Sequence, residues 1–378
     1  MQRKRMIVSM AEYRLTQISD EKIGKGNYAF ADTHDGHGRI YIPVPDAEFS
    51  LLSEDNGVTW RTLPPYGHKQ TVNQFFCLSD GTLMSLGFEN AVFNQVICKE
   101  QAGDFPYIMS VYRADSIDDV INGKITSSFP ALKIPGLCAG YGDSGNRHSG
   151  SISNAFFQMS DGSIFATMYG QFRDDTTLCP YFRDNRDYSF YLYRSWCIVS
   201  RDMGESWEFL SNIADVQTYP IADVNAEGYC EPGCIEVEPG HLVCVLRTGG
   251  HEVRSPLYCT HSYDYGRTWE PPYEICDWGV LPRLFAMSDG TLCCASGHEH
   301  TFLLFSSDNG RTWSSPYIIE ECDGKWGRSP SGYVSAFESA PNQITVIFDD
   351  PKEGLAQGFE EGNVRNIYIR RYSLEKLS

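Results

Sequence analysis

Short runs in which apolar and polar residues alternate, broken by tight turns, cover most of the chain. Six pairs of such runs flank a turn, and the turns fall at Asp35, Asp80, Asp161, Pro239, Asp289 and Pro341. Alternation with a period of two is typical of β-strands, and Asp-Gly between two such runs is a strong signal for a β-hairpin. No long stretch has helical periodicity. The pattern therefore predicts an all-β protein that contains six hairpins.

A second motif alternates with the hairpins. The pattern S-x-D-x-G-x-[TS]-W occurs four times, at Ser53–Trp60, Ser200–Trp207, Ser262–Trp269 and Ser306–Trp313. Each copy suits a turn, because Asp can accept backbone N–H groups, Gly can adopt positive φ, and Trp can pack between neighbouring sheets. We expect the hairpin to join the first two strands of each sheet and the motif to join the last two. Six repeats of this kind predict a six-bladed β-propeller.

A single domain is expected to span residues 1–378. Its blades are predicted at approximately 20–70, 71–135, 145–215, 225–277, 278–322 and 328–378. The second and sixth blades lack the Asp-containing motif, and YRADSIDDVINGKI occupies its place in an irregular second blade. An open ring would leave unpaired sheet edges. We therefore predict that an N-terminal strand, within residues 11–19, closes the last blade beside NIYIRRYSL.

Composition narrows the classes of partner. The chain has a formal net charge of −18 and no long basic run, which argues against nucleic acid and against an anionic membrane. The 13 Cys are odd in number and lie mostly in apolar runs without zinc-ligand spacing. We interpret them as buried thiols in a reducing compartment, and we expect no metal and no cofactor. The basic N-terminus has too short an apolar run for a signal peptide, so a cytoplasmic protein is expected. The oligomeric state stays open.

The hairpins also locate candidate site residues. In a propeller, the loops that lead into the first strand and out of the second strand of each blade meet at one end of the central channel. Counting back eight residues from each turn gives the first-strand starts, which are Asn27, Val72, Ser153, Glu231, Leu281 and Tyr333. Counting forward gives the second-strand ends, which include Tyr169, Gln171, Arg247, His298, Asp349 and Asp350. Arg283 should share a face with Leu281, because it lies two residues further along the same strand.

Three of these residues suit the cleavage of a sugar. A carboxylate such as Glu231 beside the phenol of Tyr333 can take its proton and make the tyrosine a nucleophile. The fork of Arg247 can bind a substrate carboxylate with two parallel hydrogen bonds.

Other polar residues flank the same region. His34 and His298 can act as acid or base near neutral pH. Asp349 or Asp350, paired with Glu231, would supply the two carboxylates that are usual for glycoside cleavage. The long segment from Arg173 to Arg194 is interpreted as a flap over the site or a subunit contact.

The repeats, together with EGYCEPGCIEVEPGHLVCVLRTGG and SPSGYVSAFESAPNQITVIFDD, resemble the sialidase (neuraminidase) superfamily of Asp-box, or BNR-repeat, propellers. The resemblance implies an exo-acting glycoside hydrolase with a retaining mechanism. It assigns Tyr333 as the nucleophile, Glu231 as its base and Arg247 as one of three arginines that hold a substrate carboxylate. It also implies a general acid/base in the first blade, at Asp35 or Asp32.

The other two arginines of that family are not in register. Asn27 occupies the first position and the GHEH segment from His298 the third, so Arg14 and Arg283 are the available substitutes. The predicted substrate is a small oligosaccharide or glycoside with a terminal acidic sugar, with sialic acid as one option. Two alternatives remain. One is a hydrolase or lyase of another acidic sugar that uses Glu231 with a His or Asp, and the other is a non-catalytic glycan-binding propeller.

Overall fold

A computed structural model of the chain shows six four-stranded antiparallel sheets arranged as propeller blades. It describes residues 12–27, 29–44, 47–65, 74–87, 106–136, 151–172, 174–177, 191–221, 226–249, 256–297, 300–321, 333–350 and 365–377. The predicted fold class is confirmed. Within these residues, no helix is long and apolar enough to cross a membrane.

The first three blades follow β1 (Glu12–Gly26) along the chain. Blade 1 contains β2 to β5, at Thr33–His34, Ile40–Pro43, Ser50–Ser53 and Arg61–Leu63. Blade 2 contains β6, β7, β9 and β10, at Phe76–Cys77, Leu83–Gly87, Ser110–Ala114 and Thr126–Ser128. Two further strands of that region, β8 and β11, pair with each other at Pro106–Ile108 and Ala131–Lys133. Blade 3 contains β12 to β15, at Ser151–Gln158, Ile164–Gly170, Arg194–Ser200 and Glu208–Ala214.

The last three blades repeat this order. Blade 4 contains β16 to β19, at Ala226–Glu238, His241–Gly249, Leu257–Ser262 and Tyr273–Cys276. Blade 5 contains β20 to β23, at Val280–Ala286, Leu292–Gly297, Thr301–Ser306 and Tyr317–Glu320. Blade 6 contains β24, β25 and β26, at Ser335–Ala340, Gln343–Asp350 and Arg365–Leu377, and β1 is its fourth strand.

The two ends of the chain close the ring. Strand β1 pairs with β26 from Glu12 opposite Leu377 to Gly26 opposite Arg365, with two irregularities in register. The predicted N-terminal closing strand is confirmed, and it is longer than expected because the pairing continues to Gly26. This pairing gives blade 6 its outer strand and covers an edge that would otherwise stay open.

The four Asp-containing motifs form the turns between the third and fourth strands of their blades, as predicted. In the copy of blade 5, Asp308 accepts a hydrogen bond from the backbone N–H of Thr312 at 2.9 Å. The hydroxyl of Ser306 accepts one from the N–H of Gly310 at 2.8 Å, and Gly310 has a φ of 82°. Trp313 is buried with Val243 and other apolar side chains of blade 4. The motif therefore fixes a turn and joins adjacent blades.

Blade 2 replaces this turn with a short helix. Helix α1 (Ile117–Ile121) lies between β9 and β10, and the hydroxyl of Ser116 caps it by accepting a hydrogen bond from the N–H of Asp119 at 3.1 Å. Ile117 and Val120 point into the core. The prediction of an irregular second blade at this segment is thus confirmed.

A buried pair of histidines in blade 4 predicts how stability depends on pH. The Nδ1 of His261 lies 3.0 Å from Nε2 of His241, and its Nε2 lies 3.1 Å from the hydroxyl of Tyr273. Burial, helped by the charge of Arg311, lowers the pKa of His261 to about 4 from 6.5. Between these values the unfolded chain binds more protons, so the free energy of unfolding should decrease as the pH falls, by on the order of 2 kcal/mol.

The measurement is the melting temperature from pH 7.5 to 4 for the wild type, for His261→Gln, and for His37→Gln in an exposed turn. We expect the decrease to be shallower in His261→Gln and unchanged in His37→Gln. Parallel curves for all three proteins would show that His261 is not the responsible group.

Candidate active site

The centre of the candidate site is a buried ion pair between the first two strands of blade 4. Arg247 donates from Nη1 to Oε1 of Glu231 at 2.7 Å, and from Nε to the carbonyl of Gly249 at 3.0 Å. Both side chains are less than a tenth exposed. Burial alone would lower the pKa of Arg247, but the carboxylates of Glu231 and Glu227 hold it well above its usual value. The guanidinium is therefore a permanent charge in the site.

Blade 6 brings a phenol to this ion pair. The hydroxyl of Tyr333 donates to Oε1 of Glu231 over 3.4 Å, and its ring packs on Phe30 with 5.4 Å between centroids. Tyr169 from blade 3 is a second phenol in this environment. Burial, with a contribution from the charge of Glu231, raises the pKa of Tyr169 well above 10.0. The structure thus brings together three predicted site residues, Glu231 and Tyr333 at first-strand starts and Arg247 at a second-strand end.

Two matched irregularities position Glu231. Glu231 and Leu281 have φ values of 44° and 41°, and a proline follows each of them. The register of blade 4 shifts between Cys230 and Gly233, and that of blade 5 shifts between Val280 and Arg283. The N–H of Leu281 is thereby free to donate to Oε2 of Glu231 at 2.9 Å. Left-handed backbone at such residues is uncommon and concentrates at functional sites.

Gly233 makes this arrangement possible. A Cβ added to it would lie 2.0 Å from the carbonyl oxygen of Pro282, which no side chain tolerates. The first strands of blades 4 and 5 therefore touch at this point. Their contact holds the Leu281 amide against the Glu231 carboxylate.

A second carboxyl group, Glu227, lies on the other side of Arg247. Nη2 of Arg247 donates to Oε2 of Glu227 at 3.3 Å, and the side chain of Glu227 is 10% exposed. Burial raises the pKa of Glu227. The charge of Arg247 lowers this pKa and the charge of Glu231 raises it, and the net effect is an increase. The two carboxyl groups that share one guanidinium therefore differ in environment, which is a common way to obtain an acid and a base in one site.

An acid from blade 1 pairs with an arginine from blade 5. Nη2 of Arg283 lies 2.8 Å from Oδ1 of Asp32, and Nη1 of Arg283 donates to the carbonyl of Phe30. Nε2 of His34 lies 2.8 Å from the other oxygen of Asp32. Burial pushes the pKa of Asp32 upwards, but the charge of Arg283 and the hydrogen bond with His34 outweigh it and lower the pKa. Arg283 and His34 are thus both partners of Asp32.

Asp35, the first-named candidate for the acid/base, lies elsewhere. Its Oδ1 accepts hydrogen bonds from the N–H groups of His37 at 2.8 Å and Arg39 at 3.0 Å, within the turn between β2 and β3. The same turn contacts the Asp-containing turn of blade 1, where the N–H of Asn56 donates to the carbonyl of Gly38 at 2.6 Å. Asp35 therefore lies at the turn end of its blade, whereas Glu231 lies eight residues before the corresponding turn of blade 4. Asp32 and Glu227 are therefore better placed than Asp35 as candidates for the acid.

Of the two remaining candidates, one is buried in blade 6 and the other lies outside the described residues. Asp349 is buried in blade 6, where Oδ1 lies 3.8 Å from Nη1 of Arg365. His298 lies outside the described residues.

The two alternatives for the first arginine position also have other partners. Asn27 accepts a hydrogen bond from the N–H of Arg365 at 3.2 Å. Arg14 pairs with Glu375 at 2.9 Å on the exposed outer strand of blade 6, so it is not near Arg247. Among the residues that the structure describes, no group of three or more His, Cys, Asp or Glu side chains is arranged to hold a metal ion.

Glu227 and the Leu281 amide were not predicted. A signal for Glu227 existed, because residues 227, 229 and 231 should share one face of an extended strand. The position of the Leu281 amide had no such signal, since it depends on two irregular strands in neighbouring blades.

Comparison with known proteins supports the architecture. The model of the BNR repeat-like domain family matches residues 142–323, which include blades 3, 4 and 5. No curated protein matches the chain. A crystal structure of a protein of unknown function from Dyadobacter fermentans is 16% identical, with 96% of this chain and 99% of that chain covered and a TM-score of 0.64.

Two glycosidase structures share the fold. The GH93 α-L-arabinofuranosidase of Fusarium graminearum, solved with arabinobiose, is 12% identical, with 94% of this chain and 98% of that chain covered and a TM-score of 0.55. The Hadza microbial sialidase Hz136 is 15% identical, with 98% of this chain but only 66% of that chain covered and a TM-score of 0.50. Such identities establish the fold and not the substrate. The chain therefore has a six-bladed β-propeller fold with BNR-like repeats, and it shares this fold with these structures.

Proposed function

We propose that the protein is a glycoside hydrolase that removes a terminal sugar from a glycan. The observation that carries the proposal is the partly buried contact of the Tyr333 hydroxyl with Glu231, a carboxylate that also receives hydrogen bonds from Arg247 and from the Leu281 amide. A phenol beside a fixed carboxylate is an activated nucleophile. The fold adds support, because it is shared with proteins described as a sialidase and an α-L-arabinofuranosidase.

In the proposed first step, Glu231 takes the phenolic proton of Tyr333 while the phenol oxygen bonds to the anomeric carbon. The glycosidic C–O bond breaks, and Glu227 gives its proton to the departing oxygen. In the second step, water attacks the anomeric carbon and passes a proton to Glu227. Tyr333 leaves and recovers its proton from Glu231. Each residue returns to its starting state, and two inversions at the anomeric carbon retain its configuration.

Glu227 suits the role of acid better than Asp32. Its raised pKa keeps a proton on the carboxyl group at higher pH, and its position on Arg247 keeps it beside Glu231. Asp32, in contrast, has a lowered pKa and is paired with Arg283. A general acid must hold a proton at the working pH. Asp32 is therefore assigned to holding Arg283 and His34 in place.

The test compares leaving groups. We expect the wild type to hydrolyse aryl glycosides, and we expect Glu227→Gln to lower kcat/KM about 100-fold for alkyl glycosides, whose leaving oxygen needs a proton. The decrease for dinitrophenyl glycosides, whose leaving group needs none, should stay below about 10-fold. The control is Glu238→Gln at the turn end of the same strand, where Glu238 binds Asn309.

Equal decreases for both leaving groups would contradict the assignment of Glu227 as the acid. A wild type that hydrolyses none of a broad set of aryl glycosides would contradict the proposed function itself. Glycan binding without hydrolysis would then favour the non-catalytic alternative.

A further inference from the structure

The charges of the candidate site bear on the class of sugar that it accepts. An acidic sugar needs a cation that is free to meet its carboxylate. Arg247 does not offer one, because Nη1 is bound to Glu231 at 2.7 Å and Nη2 to Glu227 at 3.3 Å. Its Nε is also used, since it donates to a backbone carbonyl. With a side-chain exposure of 7%, the guanidinium is neutralised by the protein before any substrate arrives.

Arg283 is neutralised in the same way. Its Nη2 lies 2.8 Å from Asp32, and the two side chains are 11% and 4% exposed. Because the pKa of Asp32 is lowered, the pair stays charged at neutral pH. Breaking a buried pair to release one partner leaves an uncompensated charge and is strongly unfavourable.

The balance of charge points the same way. The group holds three carboxyl groups, of Glu227, Glu231 and Asp32, and two guanidinium groups, of Arg247 and Arg283. Among the residues that the structure describes, this group has no excess of positive charge, so a substrate carboxylate would add a further negative charge to it. Like charges at short range in such surroundings repel. Sugar hydroxyls, in contrast, donate to carboxylates and accept from the remaining N–H groups without adding charge.

We propose, on the basis of the proposed hydrolase function, that the sugar bound beside Glu231 and Tyr333 is uncharged, so that Arg247 and Arg283 position protein carboxylates and not a substrate carboxylate. This inference differs from the expectation of an acidic sugar. It assigns the two arginines a positioning role within the site. The recognition of the sugar then rests on its hydroxyl groups.

The experiment uses matched pairs of 4-nitrophenyl glycosides that differ only in a carboxylate. The pairs are glucoside with glucuronide and galactoside with galacturonide, each as both anomers. The α-L-arabinofuranoside and an aryl sialoside complete the set. We expect turnover of at least one neutral glycoside, and kcat/KM at least about 10-fold below that value for a carboxylate partner, which corresponds to about 1.4 kcal/mol. The Tyr333→Phe variant, with intact charges, should bind the same neutral sugar more tightly than its carboxylate partner in calorimetry.

The outcomes separate the inference from the function on which it rests. Hydrolysis of the sialoside or of a uronide in preference to every neutral glycoside would overturn the inference and leave the hydrolase proposal standing. No hydrolysis of any member of the set would overturn both.

Discussion

Replacing Glu231 with Gln is expected to lower kcat by roughly 1000-fold. The amide cannot take the proton of Tyr333, so the phenol stays a weak nucleophile. The amide oxygen can still accept a hydrogen bond, for which the structure offers the Leu281 N–H and Arg247 as donors. The fold should therefore survive with a modest decrease in melting temperature. The measurement is kcat on the best aryl glycoside, together with a thermal unfolding curve.

The matched control is Glu236→Gln, which makes the same change on the same strand. Glu236 lies towards the turn end, where it accepts hydrogen bonds from the N–H and the hydroxyl of Ser160 at 2.6 and 2.7 Å. This variant should lose stability, because the contact joins blades 3 and 4, but it should keep the kcat of the wild type. A Glu231→Gln variant with kcat within about 10-fold of the wild type would show that this carboxylate is not the base.

Replacing Tyr333 with Phe is expected to lower kcat by roughly 100- to 10000-fold. The ring can keep its packing on Phe30, at 5.4 Å between centroids, so the loss reports on the hydroxyl alone. The affinity for the sugar should change much less than kcat. Steady-state kinetics and calorimetry on the same glycoside give the two quantities separately.

Tyr317→Phe is the control for the loss of a tyrosine hydroxyl. That hydroxyl donates to the carbonyl of Tyr13 at 2.7 Å, between blades 5 and 6. The variant should unfold at a lower temperature with unchanged kcat. If Tyr333→Phe also kept the kcat of the wild type, the Tyr333 hydroxyl would not be the nucleophile.

The fold could be predicted from the sequence because its signals are local and repeated. Each hairpin is encoded by its own turn, and each Asp-containing motif forms the same hydrogen bonds, such as that from the N–H of Thr312 to Asp308. The six repeats also predict that the two ends of the chain pair. The C-terminal segment supplies only three strands of blade 6, so its outer strand has to come from the N-terminus. The length of strand β1 was harder to predict, because the polar residues between Ser19 and Gly26 did not indicate that the pairing with β26 would continue.

The site was predictable only as far as strand position determines it. Counting from the turns brought Glu231, Arg247 and Tyr333 together, and the structure agrees with that grouping. It could not foresee that Leu281 would adopt positive φ, because no residue preference signals that conformation for leucine. The same limitation explains why Asp35 was named as a candidate acid/base ahead of Asp32. A count of residues does not distinguish it from Asp32, although the two lie on opposite sides of the short strand Thr33–His34.

Trapping the sugar on the enzyme tests directly whether Tyr333 is the nucleophile. The wild type is mixed with a 2-deoxy-2-fluoro derivative of its best neutral aryl glycoside, which slows the second step, and is then digested and analysed by mass spectrometry. We expect a peptide that carries one sugar on Tyr333, and no such adduct in Tyr333→Phe. A sugar attached to Glu231, or to any other residue, would contradict this assignment.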